Sequence, residues 1–469
     1  MDNLIEIGKV KPVHSKDVAF SRCGLGFEKL DRAVFEPEKA YDKVAELGVK
    51  WIRLQSGWQR TEKTKGTYDF QWLDDIVDNL ISRGLVPWMC LCYGNGLYDE
   101  DAAKVFGAVG CPPIKIPEQI AAWDKYVSAL TKHFKGRIQW YEVWNEPDGT
   151  WCWKHGVNGA EYGNFVTKTA IAAKAGDPNA KIIFGSLCLR SLKWLTEVLE
   201  AGCAQYVDAL TYHAYSPHEE RGYDRIDALR ALVQSYNPNI LIIQGETGTQ
   251  SRSDGAGALK GAAWTPLKQA KYLARHFMAD FKSDVMFASY FSCMDMIEAL
   301  GGIVGDKSTY MDFGYFGVLG ADFNEDGIAT GNYTPKPSYY TLQAIASIFR
   351  EEFTLAKLPI DSFSTNSPRL LRGDDPFHGD IQSVGFRKPN GSAAFAYWKA
   401  SELLTTTYES TISLELSALP DKITLVSLLD GTIYGIPDSQ VEDAGNGYKK
   451  LIHLPLRDYP LLLAFGDFC

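Results

Sequence analysis

No run of apolar residues in this sequence is long enough to span a bilayer, which takes about 20 in succession. No basic block stands out either: 48 Lys and Arg face 58 Asp and Glu, a net charge of −10. Phosphate backbones and anionic lipid surfaces are bound through clustered cations, so neither nucleic acid nor membrane is an expected partner. The nine cysteines are odd in number and scattered, with Cys90 and Cys92 inside one apolar run, so they read as buried thiols rather than a disulfide framework. The start, M-D-N-L-I-E-I-G-K-V, lacks a basic leader, a long apolar stretch and a cleavage site. That predicts a cytoplasmic protein, or a secreted one whose leader has been removed. No His pair has zinc-ligand spacing and no Gly-rich phosphate loop follows a strand, so no metal and no cofactor is implied. Asp322 to Gly327 matches the first half of a calcium loop, but Tyr333 stands where a bidentate Glu is needed, and the segment reads as a turn.

What is present points to a large α/β protein. With 469 residues and 45% hydrophobic content the chain can fill a sizeable core and divide into two domains. Aromatic residues make up 13%, with 12 Trp, and flat rings suit the apolar faces of sugars, although most of them belong in the core. A neutral oligosaccharide or polysaccharide is the expected partner; the oligomeric state stays open.

Strand-like and helix-like segments alternate, the signature of parallel α/β architecture. Strands are predicted at 23–27, 51–55, 85–93, 140–147, 181–187, 207–215, 240–244 and 285–291, and helices at 37–47, from 69 to Gly84, 120–134, 160–175, 192–201, 223–236, 267–281 and 338–350. In the second helix Phe70, Leu73, Ile76, Val77, Leu80 and Ile81 recur at helical spacing, and Gly84 supplies the stop. Eight such pairs predict a (β/α)8 TIM barrel over residues 21–350. From 351 to 469 the pattern changes to short alternating strands. Ile412, Leu414 and Leu416, then Ile452, Leu454 and Leu456, keep a two-residue period, and Asn390-Gly391 and Asp430-Gly431 read as hairpin turns. This predicts an all-β sandwich, structural rather than carbohydrate-binding, to which the segment 1–20 can add a strand.

Two of the predicted barrel strands end in carboxylates. Trp140 to Pro147, W-Y-E-V-W-N-E-P, brings Glu146 to a strand's carboxyl end, and I-L-I-I-Q-G-E-T-G at 240–248 does the same for Glu246. Barrels build their active sites at that end. A glycosidic bond is cleaved by one carboxyl group that protonates the leaving oxygen and a second that attacks or activates water, so Glu146 facing Glu246 predicts a glycoside hydrolase.

The W-N-E-P turn, the downstream G-E-T-G and the His213-Ala214-Tyr215 segment resemble clan A retaining glycoside hydrolases, particularly family 39, over roughly three quarters of the chain. The resemblance implies that Glu146 is the acid/base at the end of the fourth strand and Glu246 the nucleophile at the end of the seventh. It also implies that Asn145 bonds the sugar 2-hydroxyl, where a turn-forming Asn is the alternative. A β-xyloside-like substrate is the first expectation, with an α-L-iduronidase-like enzyme or an endo-acting glycanase as rivals and a non-catalytic carbohydrate-binding protein as a reading of another class. For a uronic acid, Lys154 or His155 would supply the basic group. Many clan members place a Trp at the eighth strand, where this chain has Ala288-Ser289 and then Tyr290 and Phe291.

Strand parity adds further candidates. A nucleophilic carboxylate beside a second carboxyl needs a cation or hydroxyl donor to stay ionised, and Arg53 and Tyr215 can provide them. For Arg53 the alternative is an ion pair with Glu142; for His213 it is a hydrogen-bonded core histidine rather than substrate contact. Trp58, Tyr93, Trp151 and Trp153 sit at or after strand ends, with Phe291 at the eighth, where each can stack on sugar or pack a loop.

Overall fold

The computed structural model describes residues 4–365 and 381–469, with 361–365 as backbone alone. Residues 1–3 of the N-terminal segment and 366–380 of the expected sandwich lie outside the described residues.

Eight parallel strands close into a barrel: β1 (Cys23–Gly26), β2 (Trp51–Gln55), β3 (Val86–Leu91), β4 (Trp140–Val143), β5 (Lys181–Leu187), β6 (Ala209–His213), β7 (Leu241–Thr247) and β8 (Ala288–Tyr290), with β8 pairing back to β1. Helices α1 (Tyr41–Ala45), α2 (Gln71–Ser82), α3 (Pro117–His133), α4 (Gly159–Gly176), α5 (Leu192–Glu200), α6 (Tyr223–Tyr236), α7 (Pro266–Lys282) and α8 (Pro337–Ile348) fall between or after them. The expected (β/α)8 barrel is therefore present.

The local chemistry is legible in α2, which buries Leu73, Ile76, Val77 and Leu80 on one face, while Ile81, counted in the same pattern, is 37% exposed. Gly84 follows it at φ +80°, and a Cβ there would lie 2.6 Å from the Cα of Lys16, so the stop needs glycine for both its backbone angle and its space. The first expected helix is broken: a 3-10 turn, Pro37–Lys39, precedes α1, and Ala40 joins them at φ −103°. Long excursions follow β8, outside the expected strand and helix pairs. They include a hairpin of Leu319–Phe323 with Ala329–Pro335, whose turn is the calcium-loop lookalike, closed by Gly327 N–H donating to Asn324 O.

Trp88, Trp140, Ile183, Ala209, Ile243 and Phe287 fill the barrel interior, Trp88 and Phe287 meeting edge to face. This apolar plug lies against the functional end, with the Arg53 guanidinium 5.5 Å from the Trp88 ring.

Beyond α8 two antiparallel sheets pack on Leu414, Leu451, Leu454, Leu461, Leu463 and their neighbours. The strand Ile5–Lys9 is an edge of the seven-stranded sheet, paired with Thr432–Gly435. In the strand Tyr448–Leu456 the expected period fails at Ile452. A bulge sets Ile412 opposite Leu454 but Leu414 opposite Leu451, so Leu451 takes the buried face. Buried ion pairs join the sheets to the barrel: Lys271 Nζ reaches Asp458 at 2.8 Å, and Arg275 spans Glu219 and the Ser401 carbonyl. Among the described residues no helix is long and apolar enough to cross a membrane. All nine cysteines are free thiols; Cys188 is half-buried and Cys469 exposed, and the others are buried.

Candidate active site

The turn after β4 holds two residues in left-handed backbone geometry, Trp144 at φ 69° and Glu146 at φ 45°, on either side of Asn145. Such conformations are costly for residues with a Cβ and persist where the surroundings impose them, often at functional sites. Asp148 helps to impose this one by accepting the backbone N–H groups of Cys188, Leu189 and Arg190 from the loop after β5. Glu146 Oε1 is bonded by His213 Nδ1 at 2.8 Å, and the Trp151 indole N–H donates to Oε2.

Glu246, the penultimate residue of β7, accepts from Tyr215 O–H at 2.6 Å and from Arg53 Nη1 at 2.5 Å. His213 Nδ1 also stands 3.8 Å from Glu246 Oε1. One ligand-type atom each from Glu146, His213 and Glu246 lies within 4.8 Å of the others. A cation placed there would compete with the permanent charge of Arg53 already on Glu246, which fits paired-carboxylate chemistry better than metal ligation.

Arg53 satisfies both readings given to it. It is fully buried, grips Glu142 through Nε and Nη2 at 2.9 and 2.6 Å, reaches Glu246 through Nη1, and donates to Asn145 Oδ1 at 2.8 Å. The planar fork reaches three acceptors from three separated nitrogens, a spread that the single nitrogen of an ammonium does not have. Thr211 O–H completes the set by donating to Glu142 Oε1.

Electrostatics link the acid to the imidazole. Burial raises the pKa of Glu146, but the hydrogen bond and charge of His213 outweigh it and hold the carboxyl below its ordinary range. For His213 burial acts downward, yet the charge of Glu246 and the bond to Glu146 hold it above its ordinary value. The proton expected on Glu146 alone thus belongs to the His213–Glu146 pair. Burial, followed by the charge of Glu246, drives the Tyr215 phenol far up, so it remains a donor.

The two carboxylates open on a cavity of about 300 Å3. Asn145, Tyr93, Trp151, Tyr215 and Phe291 line it, as the sequence led us to expect, and Phe316 adds an unforeseen aromatic wall 5.3 Å from the Phe291 ring. Trp58 does not reach it. After Gly57 at φ 60° the chain starts the short helix Trp58–Thr61, which stacks the fully buried indole between Tyr98 and Tyr126 and bonds its N–H to Glu62. Trp153 is likewise buried, donating to Glu161 Oε1. His213 is fully buried, so its part is to hold Glu146, with Ser186 Oγ on its other nitrogen at 3.0 Å. Lys154 is spent on the carbonyls of Val109 and Leu300, and His155 on that of Pro112.

Sequence reasoning missed the polar side of the cavity: Glu28, Lys29, Arg32, Gln55 and Glu298. Glu28 comes just after β1, and the strand-end rule that found Glu146 and Glu246 applies to it equally. Lys29 sits at φ 66°, its N–H on Gln55 Oε1 and its Nζ on the Ile297 carbonyl at 2.8 Å, 3.4 Å from Glu298.

Residues 33–232 match the family model described as glycosyl hydrolases family 39. The chain is 29% identical over 229 residues to a β-xylosidase of Geobacillus stearothermophilus, a stretch covering 43% of this chain and 43% of that enzyme. The match therefore spans less than half of the curated relative. Among solved structures, a family 39 glycoside hydrolase from the gut symbiont Bacteroides cellulosilyticus WH2 aligns with TM-score 0.67 at 16% identity, covering 97% of this chain and 82% of that one. A monomeric β-xylosidase from Caulobacter crescentus CB15 aligns with TM-score 0.60 at 18% identity, covering 98% of each chain. At these identities the structures speak for the shared fold.

Proposed function

We propose, from the match of residues 33–232 to the family 39 glycosyl hydrolases, that this chain is a retaining glycoside hydrolase acting on a β-xyloside-like bond of an oligosaccharide or polysaccharide. The observation that carries the reading is the close approach of Glu146 and Glu246, whose oxygens come within 4.8 Å. Retaining enzymes hold the pair about 5–5.5 Å apart, and inverting ones leave room for water at roughly 6.5–9.5 Å.

In this mechanism a Glu246 oxygen attacks the anomeric carbon while the C–O bond to the leaving group breaks and Glu146 delivers a proton to the departing oxygen. Water then attacks the glycosyl ester, Glu146 takes its proton, and Glu246 leaves as carboxylate. Arg53 and Tyr215 each donate a hydrogen bond to Glu246 and aim it. Asn145, fixed by Arg53, is placed to bond the sugar 2-hydroxyl. The cavity is lined entirely from the barrel segment 21–350, which supports assigning catalysis to it and an accessory role to 351–469. Two inversions preserve the anomer. Proton NMR of the first product formed from a β-glycoside, recorded before mutarotation, should show the β-anomer; an α-anomer appearing first would overturn the double displacement.

The His213–Glu146 pair gives a second expectation. With His213 held above its ordinary value and Glu146 below, the single proton is lost from the pair as pH rises, and the basic limb of kcat/KM reports the pair rather than Glu146 alone. Removing the imidazole removes the site that keeps the proton at higher pH. His213→Gln should therefore shift the basic limb to lower pH on a substrate with a poor leaving group. A limb that stays in place would assign the proton elsewhere.

A further inference from the structure

We propose that Glu28 is a substrate-binding residue that takes hydroxyl groups of a neutral sugar and biases the site against uronic acids; this deepens, and rests on, the glycosidase reading above. Glu28 is 1% exposed and lines the same cavity as Glu146 and Glu246, yet neither of its carboxyl oxygens has a hydrogen-bond partner among the described residues. Arg53 Nη1 stands 3.6 Å from Oε1, an ion-pair approach without a hydrogen bond, since Nη1 is drawn to Glu246 while Nε and Nη2 hold Glu142. Buried polar groups in folded proteins are paired, and one left open beside a cavity implies a partner that arrives with the ligand. The backbone makes room for this placement: a Cβ on Gly26 would lie 2.1 Å from Glu28 Oε2 and 2.5 Å from Oε1.

The cations on this side of the cavity are already engaged. Lys29 Nζ is on the Ile297 carbonyl and close to Glu298, and Arg32 is on Asp31 and Gln55. An incoming carboxylate would meet the Glu28 and Glu298 oxygens beside cations whose charge is already shared with Glu298 and Asp31, whereas a hydroxyl would meet an acceptor. Burial, reinforced by the charge of Glu246 and opposed by Arg53, pushes the Glu28 carboxyl up to about 8. In its neutral form the group can donate one hydrogen bond and accept another, which suits a pair of vicinal hydroxyls.

The test pairs Glu28→Ala with substrates lacking one hydroxyl. On 4-nitrophenyl β-D-xyloside the variant should lose about 10- to 100-fold in kcat/KM, the range for hydrogen bonds involving a carboxyl partner. One monodeoxy analogue should cost the wild type a similar factor and cost the variant little more, because both changes delete the same bond. The melting temperature should hold or rise, since an unpaired buried carboxyl is removed. Losses that multiply independently for every deoxy analogue, or a fall in melting temperature that accounts for the lost activity, would overturn the role. If the wild type turns over no glycoside, the glycosidase reading fails by itself. Calorimetric binding of D-xylose to wild type and to Glu28→Gln then tests Glu28 separately, with unchanged affinity counting against it. Preference of the wild type for 4-nitrophenyl β-D-glucuronide over the xyloside would overturn the bias against uronic acids.

Discussion

Glu246→Ala and Glu146→Ala are expected to lose most activity and to differ under rescue by azide. Removing a nucleophile costs on the order of 10⁴ to 10⁶ in kcat. In the Glu246 variant azide can enter the vacated space and attack the anomeric carbon of a β-glycoside directly, giving an α-azide after a single inversion. In the Glu146 variant Glu246 still forms the glycosyl ester, azide intercepts it from the opposite face, and the product is a β-azide. Loss of general acid and base assistance there costs about 10² to 10⁴, least with an activated aryl leaving group that departs without a proton. Product configuration read by NMR settles the assignment, and swapped configurations would exchange the two roles.

The second large effect concerns Arg53. Its guanidinium holds Glu142 and Glu246 in a fully buried setting, 3.6 Å from Glu28 as well. Breaking a buried pair by removing one partner costs about 3–5 kcal/mol, because the remaining charge is left without compensation. Arg53→Met should lower unfolding stability by that order and abolish activity, since Glu246 loses its cation and Asn145 its anchor. Adding Glu142→Gln should recover part of the stability and none of the activity. Arg53→Lys should also fail, because a single nitrogen on a shorter head group does not span acceptors set around a planar fork. Denaturant unfolding of the three variants beside their kinetics is the measurement; a loss below about 1 kcal/mol for Arg53→Met would show that the network is not what holds the barrel mouth.

The parts of this site legible in the sequence are those that follow from strand parity and strand ends. Glu146, Glu246, Arg53 and Tyr215 each sit at a fixed place relative to a strand, and barrel closure converges such places on one point. His213 obeys the same rule, but parity does not say whether a side chain reaches the ligand or stops at another residue; burial made it a support for Glu146. The aromatic candidates divided for a local reason. Trp151 and Tyr93 face the cavity, whereas Gly57 turns the chain so that Trp58 packs outward against the rings of α3, and no periodicity in the sequence reports that turn. Glu28 escaped notice because G-L-G-F-E-K is short and glycine-rich, with few of the β-branched residues that mark a strand, so its strand-end carboxylate carried no motif. Glu298 and Phe316 come from the excursion after β8, where long-range contacts decide the path.

The strand Ile5–Lys9 has a consequence for synthesis. Its partner, Thr432–Gly435, is made hundreds of residues later, after the whole barrel, while all but one of the barrel's adjacent strand pairs form between segments that follow one another directly. Through that interval an early segment carrying Ile5 and Ile7, which remain 62% and 59% exposed even in the finished sheet, stands as an unpaired edge. The nascent protein thus carries a sticky tail that is docked only by a strand made hundreds of residues later, so translation arrest or truncation before Thr432 would leave a formed barrel with an aggregation-prone end.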